Sequence, residues 1–234
     1  MIGGKSVLAI IPARGGSQRI KRKNLVEVGG KPLLSWTIDQ AKGSQYIDRV
    51  ILSSEDEEII TTARAYGCEV PFVRPVELAT DASPMIDCIH HAMDNMRETY
   101  AYVVLLQITS PLRRTEDIDA CIEICHNKEV PTCVSFTESD KSPFWMYKIV
   151  DQRRAVPLLD TQECPARRED SPKFYIKNGA VYVARWDWLR QNDSFMTEDT
   201  FPYVMPKERS LDIDSPYDLV ILEAVMKDAN GQGD

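Results

Sequence analysis

The chain has 234 residues, 43% of them hydrophobic, and a formal net charge of -8. That length and apolar content suit one domain around one core, and the acidic balance argues against a nucleic-acid binder, which usually shows a basic face. There is no secretory n-region followed by an apolar h-region, and no apolar run approaches a membrane span, so the chain reads as cytoplasmic with no membrane partner.

In chain order, residues 7–11 read as a strand that ends in a loop containing Gly15 and Gly16. A helix is predicted over 33–42, just after Pro32, a favoured first-turn residue. Residues 49–53 read as a strand, and 55–66 as a helix closed by Gly67. A helix over 84–97 has Ser83 as its N-cap. The Val- and Leu-rich run 102–106 is typical of a strand buried on both faces. Residues 115–126 form a helix with Thr115 as candidate cap and Glu116 and Asp117 in its first turn, and 132–136 form a further strand. This alternation predicts an α/β fold with a mainly parallel sheet and helices on both faces. The rhythm breaks after Glu138, and residues up to 177 are rich in Pro, aromatics and charge with no helical period. Strand-like runs follow at 180–184 and 201–205, and a final helix over 215–227 is capped by Ser215, with Pro216 first.

Six cysteines stand at 68, 88, 121, 125, 133 and 164, and none forms C-x-x-C. Cys121, Cys125 and His126 invite a metal reading. However, Ile118, Cys121, Ile122 and Cys125 share one apolar helix face, which favours buried thiols. His90 and His91 lie in a helical pattern with Ile86, Ile89 and Met93, which favours a core or surface role.

The stretch from Ile10 to Asn24 carries Arg14, Arg19, Lys21, Arg22 and Lys23 against the acidic balance of the whole. A buried strand feeding a glycine-containing cationic loop suits a polyphosphate, because backbone N–H groups approach the anion while Arg and Lys neutralise it. The plain alternative is a solvated basic loop. Neither the P-loop string nor G-x-G-x-x-G is present. Three other segments fall beyond the carboxyl ends of strands, where open parallel sheets bind ligands: 74–83, 107–113 and 212–214. Alone, the first is an irregular loop before a helix. Gln107-Ile108-Thr109-Ser110-Pro111-Leu112-Arg113 follows a buried strand at once, which favours a site over a simple rigid turn. Asp212 and Asp214, at i and i+2, present two carboxylates together, and their repulsion makes a Mg²⁺ site credible. The alternative is that Asp214 only caps the last helix.

The strings Ile11-Pro12-Ala13-Arg14-Gly15-Gly16-Ser17, Lys23-Asn24, Gly29-Gly30-Lys31-Pro32-Leu33 and Gln-x-Thr-Ser-Pro-Leu-Arg at 107–113 resemble the acylneuraminate cytidylyltransferase family, the CMP-sialic acid and CMP-nonulosonate synthetases. The resemblance covers nearly the whole chain. It implies a Rossmann-like nucleotidyltransferase that couples CTP to a nonulosonic acid (sialic, legionaminic or related), giving a CMP-sugar and pyrophosphate. By this resemblance Arg14, Ser17, Lys23 and Asn24 meet the phosphates and nucleotide, Arg74 and Ser83 surround the cytosine, and Gln107 and Arg168 meet the acceptor sugar, while Arg113 organises the site. Asp212 and Asp214 hold Mg²⁺, Arg14 and Lys23 stabilise developing charge, and Asp214 or a metal-bound water takes the proton. Gln18 stands where the family commonly has lysine, with Arg19 beside it. Ile176, next to Lys177, stands where the family often has arginine. Residues of about 140–177 resemble the family's dimerisation extension, so a homodimer is implied, and Phe144, Trp145, Tyr147 and Phe174 have no evident core of their own. The aromatic bulk at 142–148 suggests an acceptor less polar than N-acetylneuraminate, such as a 9-deoxy di-N-acylated acid. Two other readings remain: a phosphohydrolase using the Asp-x-Asp pair, which generally follows a hydrophobic strand early in a chain, and a CMP-octulosonate synthetase. A nucleotide-sensing module would have lost the Asp pair or Lys23.

Overall fold

A computed structural model describes residues 1–159, 167 and 171–229. The elements are β1 (Val7–Pro12), β2 (Glu27–Val28), β3 (Lys31–Pro32), α1 (Leu33–Gly43), β4 (Arg49–Ser53), α2 (Glu57–Ala65), α3 (Met85–Asp94), β5 (Tyr102–Leu106), α4 (Thr115–Asn127), β6 (Thr132–Glu138), β7 (Tyr147–Val150), β8 (Arg154–Pro157), β9 (Tyr175–Arg185), α5 (Trp186–Leu189), β10 (Phe201–Val204) and α6 (Pro216–Ala229). The main sheet has the order β10-β6-β9-β5-β1-β4. β4, β1 and β5 run parallel, as do β6 and β10, and β9 lies antiparallel between β5 and β6. The expected mainly parallel sheet is therefore present, with β9 reversed inside it.

Side chains of alternate residues leave a strand on opposite faces, and both faces here are covered. Val7, Ala9 and Ile11 of β1 pack with Leu33, Ile38, Ile59, Ile118 and Leu222, from α1, α2, α4 and α6. Leu8 and Ile10 pack with Ile89 of α3 and Leu189 of α5. Burial on both faces explains why β1 and β5 read as continuous apolar runs rather than as alternating ones.

Several element ends differ from the sequence reading, each for a local reason. β9 begins at Tyr175, before the Asn178-Gly179 pair, because Tyr175–Lys177 pairs with the end of β6 beyond an irregularity in its register. Ser83 does not cap α3: Pro84 holds that position, and the Ser83 hydroxyl donates to Glu77 O at 2.6 Å. Thr115 is the first residue of α4 rather than its cap. Its N–H and hydroxyl go to Gln40, and the Asp117 carboxylate accepts from Arg114 N–H at 2.9 Å. At α6 the capping oxygen belongs to Asp218, which accepts from the N–H groups of Asp214 and Ser215 at 3.0 and 2.7 Å.

The irregular stretch contains a 3-10 turn, Pro143–Trp145, and the hairpin β7–β8, which forms its own two-stranded sheet. Cys121 and Cys125 are buried on the inner face of α4, and desolvation pushes both thiols up, Cys125 to about 12, so neither is a ready thiolate ligand. No helix among the described residues is long and apolar enough to cross a membrane.

Candidate active site

β1 and β4 end side by side, with Pro12 paired to Ser53. The cationic loop leaves the sheet there, and Asn24 closes it by donating from Nδ2 to Arg14 O at 2.9 Å. The loop's five cations sort to different places. Arg14 lines a cleft of about 310 Å3 together with Ser17, Lys23 and Asn24. Lys23 is largely buried; its ammonium donates to Ile213 O at 2.7 Å and lies 3.8 Å from Asp214. Desolvation lowers the Lys23 pKa, with Asp214 and Asp212 opposing that shift. Arg19 sits at the rim, 3.3 Å from Asp214. Arg22 turns away to Asp56, at 2.5 and 3.1 Å, and to Glu58. Lys21 is exposed.

The second and third predicted segments line the same cleft through Arg74, Ser83, Gln107 and Thr109. Arg74 is almost wholly buried in its wall. It donates from Nη2 to Ala13 O at 3.1 Å and to Glu55 at 2.7 Å, and Nη1 lies 3.1 Å from Cys88 Sγ. The Gln107 carbonyl accepts from Arg113 Nη1 at 3.1 Å, and the same nitrogen donates to Ala180 O at 2.8 Å. Arg113 is wholly enclosed, and desolvation pushes its pKa down to about 10. It ties the end of β5 to β9 and does not line the cleft. Arg168 lies outside the described residues.

Asp214 faces a second cavity of about 410 Å3 that shares Arg14, Ser17, Lys23 and Asp81 with the first. Asp212 presents its edge to solvent, yet burial of its carboxyl raises its pKa. Asp214 adds to the rise, and a hydrogen bond with Thr109 opposes it. Buried Ile213 separates the two and anchors the segment by donating its N–H to Thr109 O at 2.8 Å. No group of three or more His, Cys, Asp or Glu is gathered to hold a metal among the described residues. Burial is the main cause of the rise at Asp212, with the nearby Asp214 charge adding to it; two carboxylates so placed suit Mg²⁺, which uses one or two carboxylates together with substrate phosphates and water.

Residues outside the predicted site set also take part. Asp81 pairs with Arg14 at 2.6 Å and also accepts from Gln18, so Gln18 is engaged across the cleft rather than idle. Asn178, buried at the start of the inner part of β9, accepts from Ser135 at 2.7 Å and donates to Ser210 at 3.0 Å, which fixes the approach to Asp212. Asp117 receives Arg209 through two bonds of 2.9 and 2.6 Å and steadies the same approach. A carboxylate or amide partner far along the chain leaves no local sequence pattern. Glu55 is different, since it lies just beyond the end of β4, where the criterion that found the other segments applies.

Residues 8–220 match the family model described as Cytidylyltransferase. The chain is 34% identical over 228 residues to a CMP-N,N'-diacetyllegionaminic acid synthase of Legionella pneumophila, covering 94% of this chain and 96% of that protein. It is 32% identical over 224 residues to a pseudaminic acid cytidylyltransferase of Campylobacter jejuni, again covering 94% and 96%. An N-acylneuraminate cytidylyltransferase of Streptococcus agalactiae is 32% identical over 91% of this chain, which spans 51% of that longer protein. Among solved structures, a CMP:2-keto-3-deoxy-manno-octonic acid synthetase complexed with CTP superposes with a TM-score of 0.73 at 18% identity, covering 96% of this chain and 99% of that one. At that identity the likeness shows the fold alone, a nucleotidyltransferase α/β fold. With a family match over most of its length and relatives above 30% identity along nearly all of it, the chain belongs to the cytidylyltransferase family.

Proposed function

We propose that this chain couples CTP to a nonulosonic acid, releasing pyrophosphate and a CMP-sugar. The observation that carries the reading is the meeting of Arg14, Lys23 and Asp214 around one cavity that opens into the cleft lined by Arg74, Ser83 and Gln107. The inner cleft suits the nucleoside, and the outer cavity, with its cations, suits the phosphates. In the reaction the anomeric hydroxyl oxygen of the 2-keto-3-deoxy acid attacks the α-phosphorus, and the bond to the β,γ-pyrophosphate breaks. Arg14 and Lys23 neutralise charge developing on the phosphates and the leaving group. Asp214 is the candidate acceptor for the hydroxyl proton. Asp212 and Asp214 would hold Mg²⁺, which supplies further neutralisation of phosphate charge when bound.

The acceptor class follows from the relatives, whose names specify legionaminic, pseudaminic and acylneuraminic acids. The two covered at 96% of their length act on legionaminic and pseudaminic acids, which supports the expectation of a less polar acceptor than N-acetylneuraminate. The Asp-x-Asp hydrolase reading gains nothing from the fold: a 3-10 turn, Lys207–Arg209, separates β10 from Asp212. The described residues lining the cleft include none from 140–177, so a second copy of the chain is the proposed source of the remaining sugar contacts. Tyr147 and Ile149 lie exposed on one face of the β7–β8 hairpin, and Val156 lies exposed on its other face; exposed apolar residues on this extension, with Ile176 on β9, suit such a homodimer. Phe144 and Phe174 meet edge to face at 5.7 Å and stiffen it.

Pyrophosphate release from CTP with N,N'-diacetyllegionaminic, pseudaminic and N-acetylneuraminic acids tests the reading, alongside the mass of the native particle in solution. The expected result is release that requires both substrates, a higher kcat/KM for a 9-deoxy di-N-acylated acid, and a dimer mass. Orthophosphate from a sugar phosphate, with no pyrophosphate, would establish the hydrolase instead. A clear preference for N-acetylneuraminate would remove the specificity argument alone.

A further inference from the structure

Ser54, Glu55 and Asp56 follow β4, and the last two lie against the cationic loop. The Glu55 side chain is only 14% exposed, and its two oxygens have different partners. Oε2 meets Arg74 Nη2 at 2.7 Å, and Oε1 accepts from Gly15 N–H at 2.7 Å. The same Arg74 nitrogen donates to Ala13 O at 3.1 Å. The ion pair thus grips the loop on both sides of Arg14, by the carbonyl before it and the amide after it. Ala13 N–H is held in turn by Ser53 O at 2.9 Å. The fit is close, since a Cβ placed on Gly15 would stand 2.4 Å from Asp56 Oδ2. Only glycine lets the loop lie this near the acidic pair.

A carboxylate at the edge of a polyphosphate site opposes binding through its charge, and burying an ion pair carries a desolvation cost. Placement of the loop is what the pair supplies in return. We infer that Glu55 is a positioning residue that acts through Arg14: with Arg74 it fixes the backbone of residues 13–15 so that the Arg14 guanidinium is directed across the cleft. The kinetic test rests on the CTP reading above, and a second measurement does not.

Glu55→Gln keeps the side-chain shape and an acceptor for Gly15 but removes the charge that holds Arg74. Glu55→Ala removes both. Each is made in the full chain, alone and combined with Arg14→Ala. Glu55→Gln is expected to lower kcat/KM for CTP roughly tenfold, mostly through kcat, and Glu55→Ala somewhat more, the scale of one hydrogen bond to a charged group. On the Arg14→Ala background the further loss is well below that on the parent, because the group being positioned is gone and only the looser Arg74 remains to be felt at the base. A fully multiplicative loss on that background overturns the inference, since a purely structural role is additive. Unchanged kcat/KM in Glu55→Gln also overturns it. Independently of turnover, the Gly15 amide is expected to exchange hydrogen faster in Glu55→Ala and at the parental rate in Arg14→Ala. Parental exchange in Glu55→Ala refutes the clasp. If Glu55→Ala does not fold, Glu55→Gln carries the kinetic arm. If the parent turns over no nonulosonic acid, the exchange arm still decides.

Discussion

Arg14 reaches the cleft already paired. Its Nη1 lies 2.6 Å from Asp81 Oδ1, and Gln18 donates to the other Asp81 oxygen. Arg14 and Asp81 both line the inner cleft and the outer cavity, so their bridge stands where the two meet. A triphosphate that takes Arg14 must displace a carboxylate of its own sign. With Arg14 40% and Asp81 55% exposed, the pair is worth no more than about 1 kcal/mol, which is roughly fivefold in a binding constant. Asp81→Asn should therefore lower the KM for CTP about two- to fivefold while leaving kcat within about twofold. The advantage should shrink as salt rises, because both partners are open to screening. Initial rates of pyrophosphate release across a CTP titration, repeated at low and high salt, measure this directly. A severalfold rise in KM would refute the reasoning, since it would mean that Asp81 holds Arg14 in its productive place rather than competing for it.

Three other outcomes follow from the site. Asp212→Asn and Asp214→Asn should each abolish most turnover at saturating Mg²⁺ while far-ultraviolet circular dichroism stays parental; near-normal rates in either variant would remove that residue from the metal site. Lys23→Ala should cost roughly a hundredfold in kcat, the scale for one lost transition-state donor, whereas Gln18→Ala should be mild, and equal losses would show that charge does not rank these positions. Asp56 caps α2 and receives Arg22, whose hydrogen bond holds its carboxyl below the ordinary value of 3.8. A depressed carboxylate stabilises the fold fully above its unfolded pKa and loses that effect as pH falls through the folded one. Urea titrations of the parent and of Asp56→Asn should thus differ at neutral pH and converge as pH falls below about 3.8, and a constant gap would contradict the assignment.

Much of this architecture is legible in the sequence, because burial on both faces writes continuous apolar runs. β4 and β5 span the residues their composition marks out, and the loops beyond β1 and β5 supply much of the cleft. What stays hidden depends on partners distant in the chain. Ser83 looks like an N-cap by its place before a helix, yet its hydroxyl finds Glu77 O behind it. The early start of β9 needs β6 beside it. No spacing rule places Asp117 with Arg209, or Asn178 with Ser210, although these bonds hold the approach to Asp212.

The cationic loop shows most clearly why counting charges along a chain is not enough. Its cations do not form one positive surface. Arg14 meets Asp81, Arg19 and Lys23 meet Asp214, and Arg22 meets Asp56 and Glu58. Each pairing relieves the repulsion that a bare cluster would suffer, which reconciles a basic loop with an acidic protein. It also sets a threshold for the ligand. Arg22 is spent on anchoring, through a two-pronged bond to a capping carboxylate. The exposed pairs of Arg14 and Arg19 are cheap to break. A single phosphate offers little more than the carboxylates it must displace, whereas a triphosphate brings several charges to Arg14, Arg19 and Lys23 at once. On the proposed assignment of this loop to the phosphates, selection for the triphosphate over shorter nucleotides is favoured before any contact with the base, by the acidic partners that the cations already hold.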